Sequence, residues 1–137
     1  MWNITWITPL AAVAVACGGS SSPGTTLPPG YYVAIATMAF TPLALDVPPG
    51  GTVTVLNREG ILHSVTSQSA PGSFTPGGVG GVTFDTGLFA TGQRTFTIPA
   101  TAAEGTAIPY YCSSHGAMMV TPNGTITVRA AAQPGPP

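Results

Sequence analysis

The sequence predicts an all-β fold, a sandwich or barrel of about seven or eight short strands. Three observations predict it. Short runs rich in Val, Ile, Thr, Phe and Tyr alternate apolar and polar residues, as side chains do along a strand. Eighteen glycines and fifteen prolines punctuate these runs, and both residue types favour turns over element interiors. No segment sustains a 3.6-residue apolar period, apart from one candidate helical turn in residues 100–104. A length of 137 residues fits one domain.

The elements follow in chain order. Residues 2–16 are apolar but too short to span a bilayer as a helix. They end in small residues, as a signal-peptide cleavage region should, so residues 1–17 are expected to direct export. Cys17 directly follows those small residues and precedes Gly and Ser, which resembles a bacterial lipoprotein lipobox. That resemblance implies a lipid on Cys17 and anchorage at a membrane surface. Residues 18–30 read as a flexible tether. Strands are expected at 31–37, 43–47 and 52–56, the last with Val53 and Val55 on one face. A fourth is expected at 63–67, beginning at His63. Residues 70–81 hold five glycines and two prolines and read as a loop. Further strands are expected at 82–86, 93–98, 106–112 and 124–129. Residues 130–137 read as a disordered tail.

Composition narrows the function. Only 5% of residues are charged, the net charge is −1, and no basic patch is present, which argues against a nucleic-acid partner. The four acidic residues, Asp46, Glu59, Asp85 and Glu104, are scattered, with no carboxylate pair for acid–base work. The Gly-rich stretch lacks the Lys-Ser/Thr ending of a phosphate loop and opens no helix. Two cysteines are present, Cys17 and Cys112, and their contexts assign them separate jobs rather than one disulfide.

The informative stretch is Tyr110-Tyr-Cys-Ser-Ser-His-Gly-Ala-Met-Met119. Ile108, Tyr110 and Cys112 share a strand face, which points the thiol inward. Ser113, Ser114 and Gly116 are turn formers, and a turn there returns His115 to the sulfur. Met118 or Met119 can then close over the same point. His63 is the only other histidine. Two imidazoles, a thiolate and a weak axial thioether are the donor set of a blue-copper centre. Zinc also accepts Cys and His but prefers a harder fourth donor than thioether.

On these residues the chain resembles a cupredoxin, a blue-copper protein of the plastocyanin, pseudoazurin and amicyanin kind. The Tyr-Cys-x-x-His-Gly loop carries the resemblance most strongly. Residues 40–57, the turn at 86–93 and the closing Gly124-Thr-Ile-Thr-Val128 are also similar to that family, so that the likeness covers about residues 31–129. It implies a Greek-key β-sandwich with one copper ion at one end, cycling between Cu(I) and Cu(II). It implies His63, Cys112 and His115 as equatorial ligands, with Met119 favoured over Met118 as axial ligand. It implies an exposed edge of His115 as the electron port. The family usually has Asn after its first histidine, bonded across to the Cys loop; Ser64 stands there and is expected to make a similar, shorter bond. Residues 120–123 look like a small insertion before the last strand.

The expected function is exported, one-electron transfer between transient protein partners, by a monomer in the periplasm or on the outer face of a bacterial membrane. With so few charges, docking is expected to depend little on salt. A third histidine for a second, catalytic metal is missing, so no enzyme is expected. The rivals are a copper carrier or storage protein with the same ligands, and a structural domain with no metal.

Overall fold

The computed structural model describes residues 26–137. Cys17 and the expected export segment lie outside the described residues. Eight strands form: β1 (Tyr31–Ala36), β2 (Ala39–Thr41), β3 (Ala44–Val47), β4 (Thr52–Asn57), β5 (Thr66–Ser67), β6 (Gly92–Thr97), β7 (Ala107–Tyr111) and β8 (Gly124–Val128). They make two four-stranded sheets, ordered β2-β1-β4-β6 and β3-β8-β7-β5. In the first sheet β1 runs parallel to β4 and antiparallel to β2, and β4 runs antiparallel to β6. In the second, β8 runs parallel to β3 and antiparallel to β7, which in turn pairs with β5. The expected all-β sandwich is therefore present.

Alternation along the strands decides which side chains enter the space between the sheets. Val33, Ile35, Val53, Val55 and Phe96 enter from the first sheet, and Val47, Ile108, Tyr110, Ile126 and Val128 from the second; all belong to one core cluster. Aromatic pairs lock the layers. Phe84 stacks on Phe96 with ring centres 4.2 Å apart, and Phe40 meets Tyr110 edge-on at 5.0 Å. Tyr110 needs Gly124 opposite it, because a Cβ there would lie 2.1 Å from the tyrosine ring.

The structure corrects the expected elements in several places. The three-residue β2 is additional, held by pairing with β1. Residues 63–67 and 82–86 were expected as strands, yet only Thr66–Ser67 qualifies, and the two segments share a single isolated bridge, Thr66 to Asp85. The reason is chemical. Ser67 Oγ accepts the Phe84 N–H and Thr86 Oγ1 accepts the Val65 N–H, so side-chain hydroxyls replace backbone carbonyls in the ladder. The alternation was still right about faces, since Val82 and Phe84 are buried while Thr83 and Asp85 are exposed. Residues 100–104 form turns rather than a helical turn. The tail read as disordered has defined contacts: Gly30 and Gly135 exchange both backbone hydrogen bonds, and Tyr31 Oη donates to Ala132 O.

The loop after β5 is pinned by the buried Gln68. Its Oε1 accepts from Phe74 N and Ser73 Oγ, and its Nε2 donates 2.6 Å to Asn123 Oδ1. Asn123 in the 120–123 segment also accepts from Gly72 N. These bonds bring the loop against the turn that follows β7, where Phe74 packs edge-on to Tyr111 at 5.9 Å.

Candidate metal centre

Three segments meet at one end of the sandwich. β7 ends at Tyr111, and the next residue, Cys112, is a free thiol buried completely in the core cluster. The chain then turns: Cys112 O accepts from His115 N at 3.3 Å and from Gly116 N at 2.8 Å. Gly116 sits at φ +49°, which suits glycine, and opens a single 3-10 turn, Gly116–Met118. The turn swings His115 back so that its Nδ1 lies 3.5 Å from Cys112 Sγ. His63 arrives from the segment before β5, where it exchanges both backbone bonds with Phe89, and its Nδ1 lies 3.6 Å from the same sulfur. The two imidazole centres are 4.6 Å apart.

The donor atoms of His63, Cys112 and His115 thus lie within 4.8 Å of one another. A first-row ion bound at about 2.0–2.3 Å by imidazole and thiolate leaves its donors about 3.5–3.8 Å apart. Both measured N–S separations agree with that spacing, so the residues present fit a metal ion. Their burial differs: His63 is completely buried, whereas His115 is partly exposed. The two methionines also part company. Met119 is 3% exposed and belongs to the core cluster with Cys112, while Met118 is 71% exposed.

One participant escaped the sequence reading. Glu59, four residues before His63, places Oε2 2.6 Å from His63 Nε2, and neither atom has another partner. Its other oxygen accepts from Met38 N at 2.8 Å, and its own N–H donates to Asn57 Oδ1. Asn57 Nδ2 in turn donates to the carbonyls of Ile61 and Phe89, which fixes the loop between carboxylate and imidazole. Burial holds the His63 pKa below its ordinary 6.5; Glu59 pulls it up and His115 pushes it down, but burial outweighs Glu59. The available signal was a carboxylate four residues from a candidate ligand in a chain with only four acidic residues.

Ser64 makes the bond expected of it. Its Oγ accepts from Ser113 N at 2.9 Å, joining the residue after His63 to the residue after Cys112.

Comparison with known proteins agrees with this geometry. The model of the copper-binding proteins of the plastocyanin/azurin family matches residues 31–129. Among solved structures, the chain is similar to an oxidised methionine-to-leucine variant of amicyanin, at 25% identity and a TM-score of 0.54, covering 73% of this chain and 82% of that one. It is also similar to a methionine-to-glutamine variant of amicyanin with Cu(I), at 25% identity and a TM-score of 0.52, covering 72% and 80%. No curated protein sequence matches it significantly. A two-sheet β fold, a His/Cys/His donor cluster with a buried methionine in its core, and a family match over most of the chain place it in the plastocyanin/azurin family of copper-binding proteins, as a cupredoxin with one copper ion.

Proposed function

We propose that this cupredoxin is an exported carrier of single electrons, with copper held by His63 Nδ1, Cys112 Sγ, His115 Nδ1 and the thioether of Met119. The observation that carries the reading is the convergence of three donors, two buried and one partly exposed, at the separations one ion requires. Bound copper supplies a one-electron couple between Cu(I) and Cu(II). The same structural neighbour, amicyanin, is known in an oxidised form and with Cu(I).

The chain's own residues do the rest. Glu59 beside Nε2 of His63 favours the tautomer with its proton on that nitrogen, which leaves the Nδ1 lone pair free for the metal. Burial of Cys112 and His63 keeps water from the donors, and a packed surrounding resists rearrangement when the charge changes. His115 is the donor nearest solvent and is therefore the route for the electron. Met119 rather than Met118 is the axial donor, because Met119 is buried in the core cluster that holds Cys112 whereas Met118 is exposed.

Five of the six large apolar side chains that are exposed among the described residues stand on segments that carry or pin these donors. They are Ile61, Leu62, Leu88, Met118 and Val120. Such a surface suits brief docking of a redox partner over a small area. Export, and a lipid on Cys17, rest on the small residues before that cysteine and the Gly/Ser run after it.

The test is a visible absorption spectrum of the copper-loaded protein with a redox titration. An intense thiolate-to-copper band, absent in Cys112→Ser, and a reversible one-electron transition are expected. A band that survives in Cys112→Ser refutes the ligand set. Ready transfer of copper to an acceptor protein without a reversible titration would identify a copper carrier instead.

A further inference from the structure

Beyond the donors themselves, a chain of side chains leads from the site to the surface. Ser113 Oγ lies 2.9 Å from Ser64 Oγ, Ser64 Oγ lies 2.8 Å from Thr66 Oγ1, and Thr66 Oγ1 donates 3.0 Å to Asp85 Oδ1. Ser64 and Thr66 are buried, while Asp85 is exposed and is held in place by Gly87 N at 2.9 Å. The direction of every bond follows from the carboxylate. An ionised carboxylate only accepts, and a hydroxyl has one proton and two lone pairs. Thr66 gives its proton to Asp85, so Ser64 must donate to Thr66. Ser64 then has no proton left, so Ser113 Oγ must donate to Ser64. Ser64 already accepts the Ser113 N–H at 2.9 Å. Both its lone pairs are thereby filled by the same residue, and every hydroxyl proton in the network has an acceptor.

We propose that Asp85 and Thr66 are positioning residues of the copper centre: the carboxylate sets the proton order of the three hydroxyls, which makes Ser64 a two-fold acceptor that clamps Ser113, next to Cys112, to the residue next to His63. The clamp holds the two buried donor segments in register. The charge at its outer end also favours Cu(II) over Cu(I). The proposal rests on the copper reading of the site, but half of its test needs no metal.

In the copper-free protein, Thr66→Val leaves the Ser64 proton without its acceptor. With that anchor gone the Ser64 hydroxyl is free to turn away from Ser113, and the clamp loosens. Exchange of the Ser113 amide hydrogen is expected to speed up at least about tenfold, and Thr66→Ser to restore it. Asp85→Asn keeps an oxygen for both Thr66 and Gly87 N and removes only charge. It should leave the exchange rate within about twofold of wild type. In the loaded protein it should shift the one-electron equilibrium about threefold toward Cu(I), or about 28 mV at 59 mV per tenfold change. Glu104→Gln, a carboxylate removed from the exposed pair with Arg129, serves as control and should shift nothing. Unchanged exchange in Thr66→Val overturns the clamp. A potential in Asp85→Asn equal to that in Glu104→Gln overturns the charge effect. A wild-type protein with no thiolate-to-copper band would sink the copper reading, while the exchange comparison would still decide the clamp.

Discussion

Replacing Glu59 by Gln removes one charge from beside His63 while keeping the side chain's shape. The carboxylate is 15% exposed and its Oε2 lies 2.6 Å from the fully buried His63 Nε2. Hydrogen bonds to charged groups contribute about 1.5–3 kcal/mol net. Loss of a partner to a metal-bound histidine costs about 10–100-fold in metal affinity, which is about 1.4–2.7 kcal/mol. The two ranges agree, so copper affinity in Glu59→Gln should fall by at least about tenfold. The sign of the effect on the redox couple also follows. Taking away a negative charge and weakening the imidazole as a donor both disfavour Cu(II) more than Cu(I), so the reduction potential should rise. Competition with a chelator, followed by the copper–thiolate absorption, measures the affinity, and spectroelectrochemistry measures the potential. The Met38 N–H and Asn57 contacts of Glu59 provide an internal check, because Gln can still accept the first and donate its N–H to the second. A variant of native stability whose copper affinity and potential match wild type would show that the carboxylate does not act on the metal through His63.

Three other outcomes are expected. Met119→Ala should cost about 2–5 kcal/mol of stability and change the copper spectrum, whereas Met118→Ala should stay within about 0.5 kcal/mol and leave the spectrum alone; chemical denaturation and absorption spectra check both, and the reverse pattern would transfer the axial role to Met118. Gly124→Ala should destabilise by about 1–3 kcal/mol or more, since the added methyl meets the Tyr110 ring at 2.1 Å; an unchanged melting temperature would mean that the ring is free to move. Copper-free protein should lose stability as pH falls below 6.5: the folded state holds the His63 pKa below that value, so the unfolded chain binds more protons there. Thermal melts at pH 7.5 and 5.5 test this, and a melting temperature that is flat or higher at pH 5.5 would contradict it.

The donor set was legible because the chain is poor in alternatives. It has two histidines and, past residue 17, one cysteine, and the turn formers after Cys112 leave few paths for His115. The choice between Met118 and Met119 was less legible, because one residue of register in a 3-10 turn reverses which side chain faces inward, and backbone bonds such as Val120 N to Met38 O decide that register. Glu59 and Asp85 looked like scattered charges for a related reason. Glu59 reaches His63 only because Asn57 ties the loop between them, and Asp85 reaches Ser113 only through two hydroxyls on another segment.

What the sequence determined by itself is therefore local: alternation assigned the buried faces, even along 82–86 where no strand formed, and turn residues assigned the short thiolate–imidazole loop. What only the tertiary structure decided is everything that depends on partners distant in the chain. Ser67 and Thr86 hydroxyls displaced ladder bonds, residues 130–137 docked against Gly30 and Tyr31, and Glu59 was brought to His63 and Asp85 to Thr66. The physical reason is range. Side-chain periodicity is a property of neighbouring residues, whereas a hydrogen bond or an ion contact acts over about 3 Å in space and is indifferent to separation along the chain.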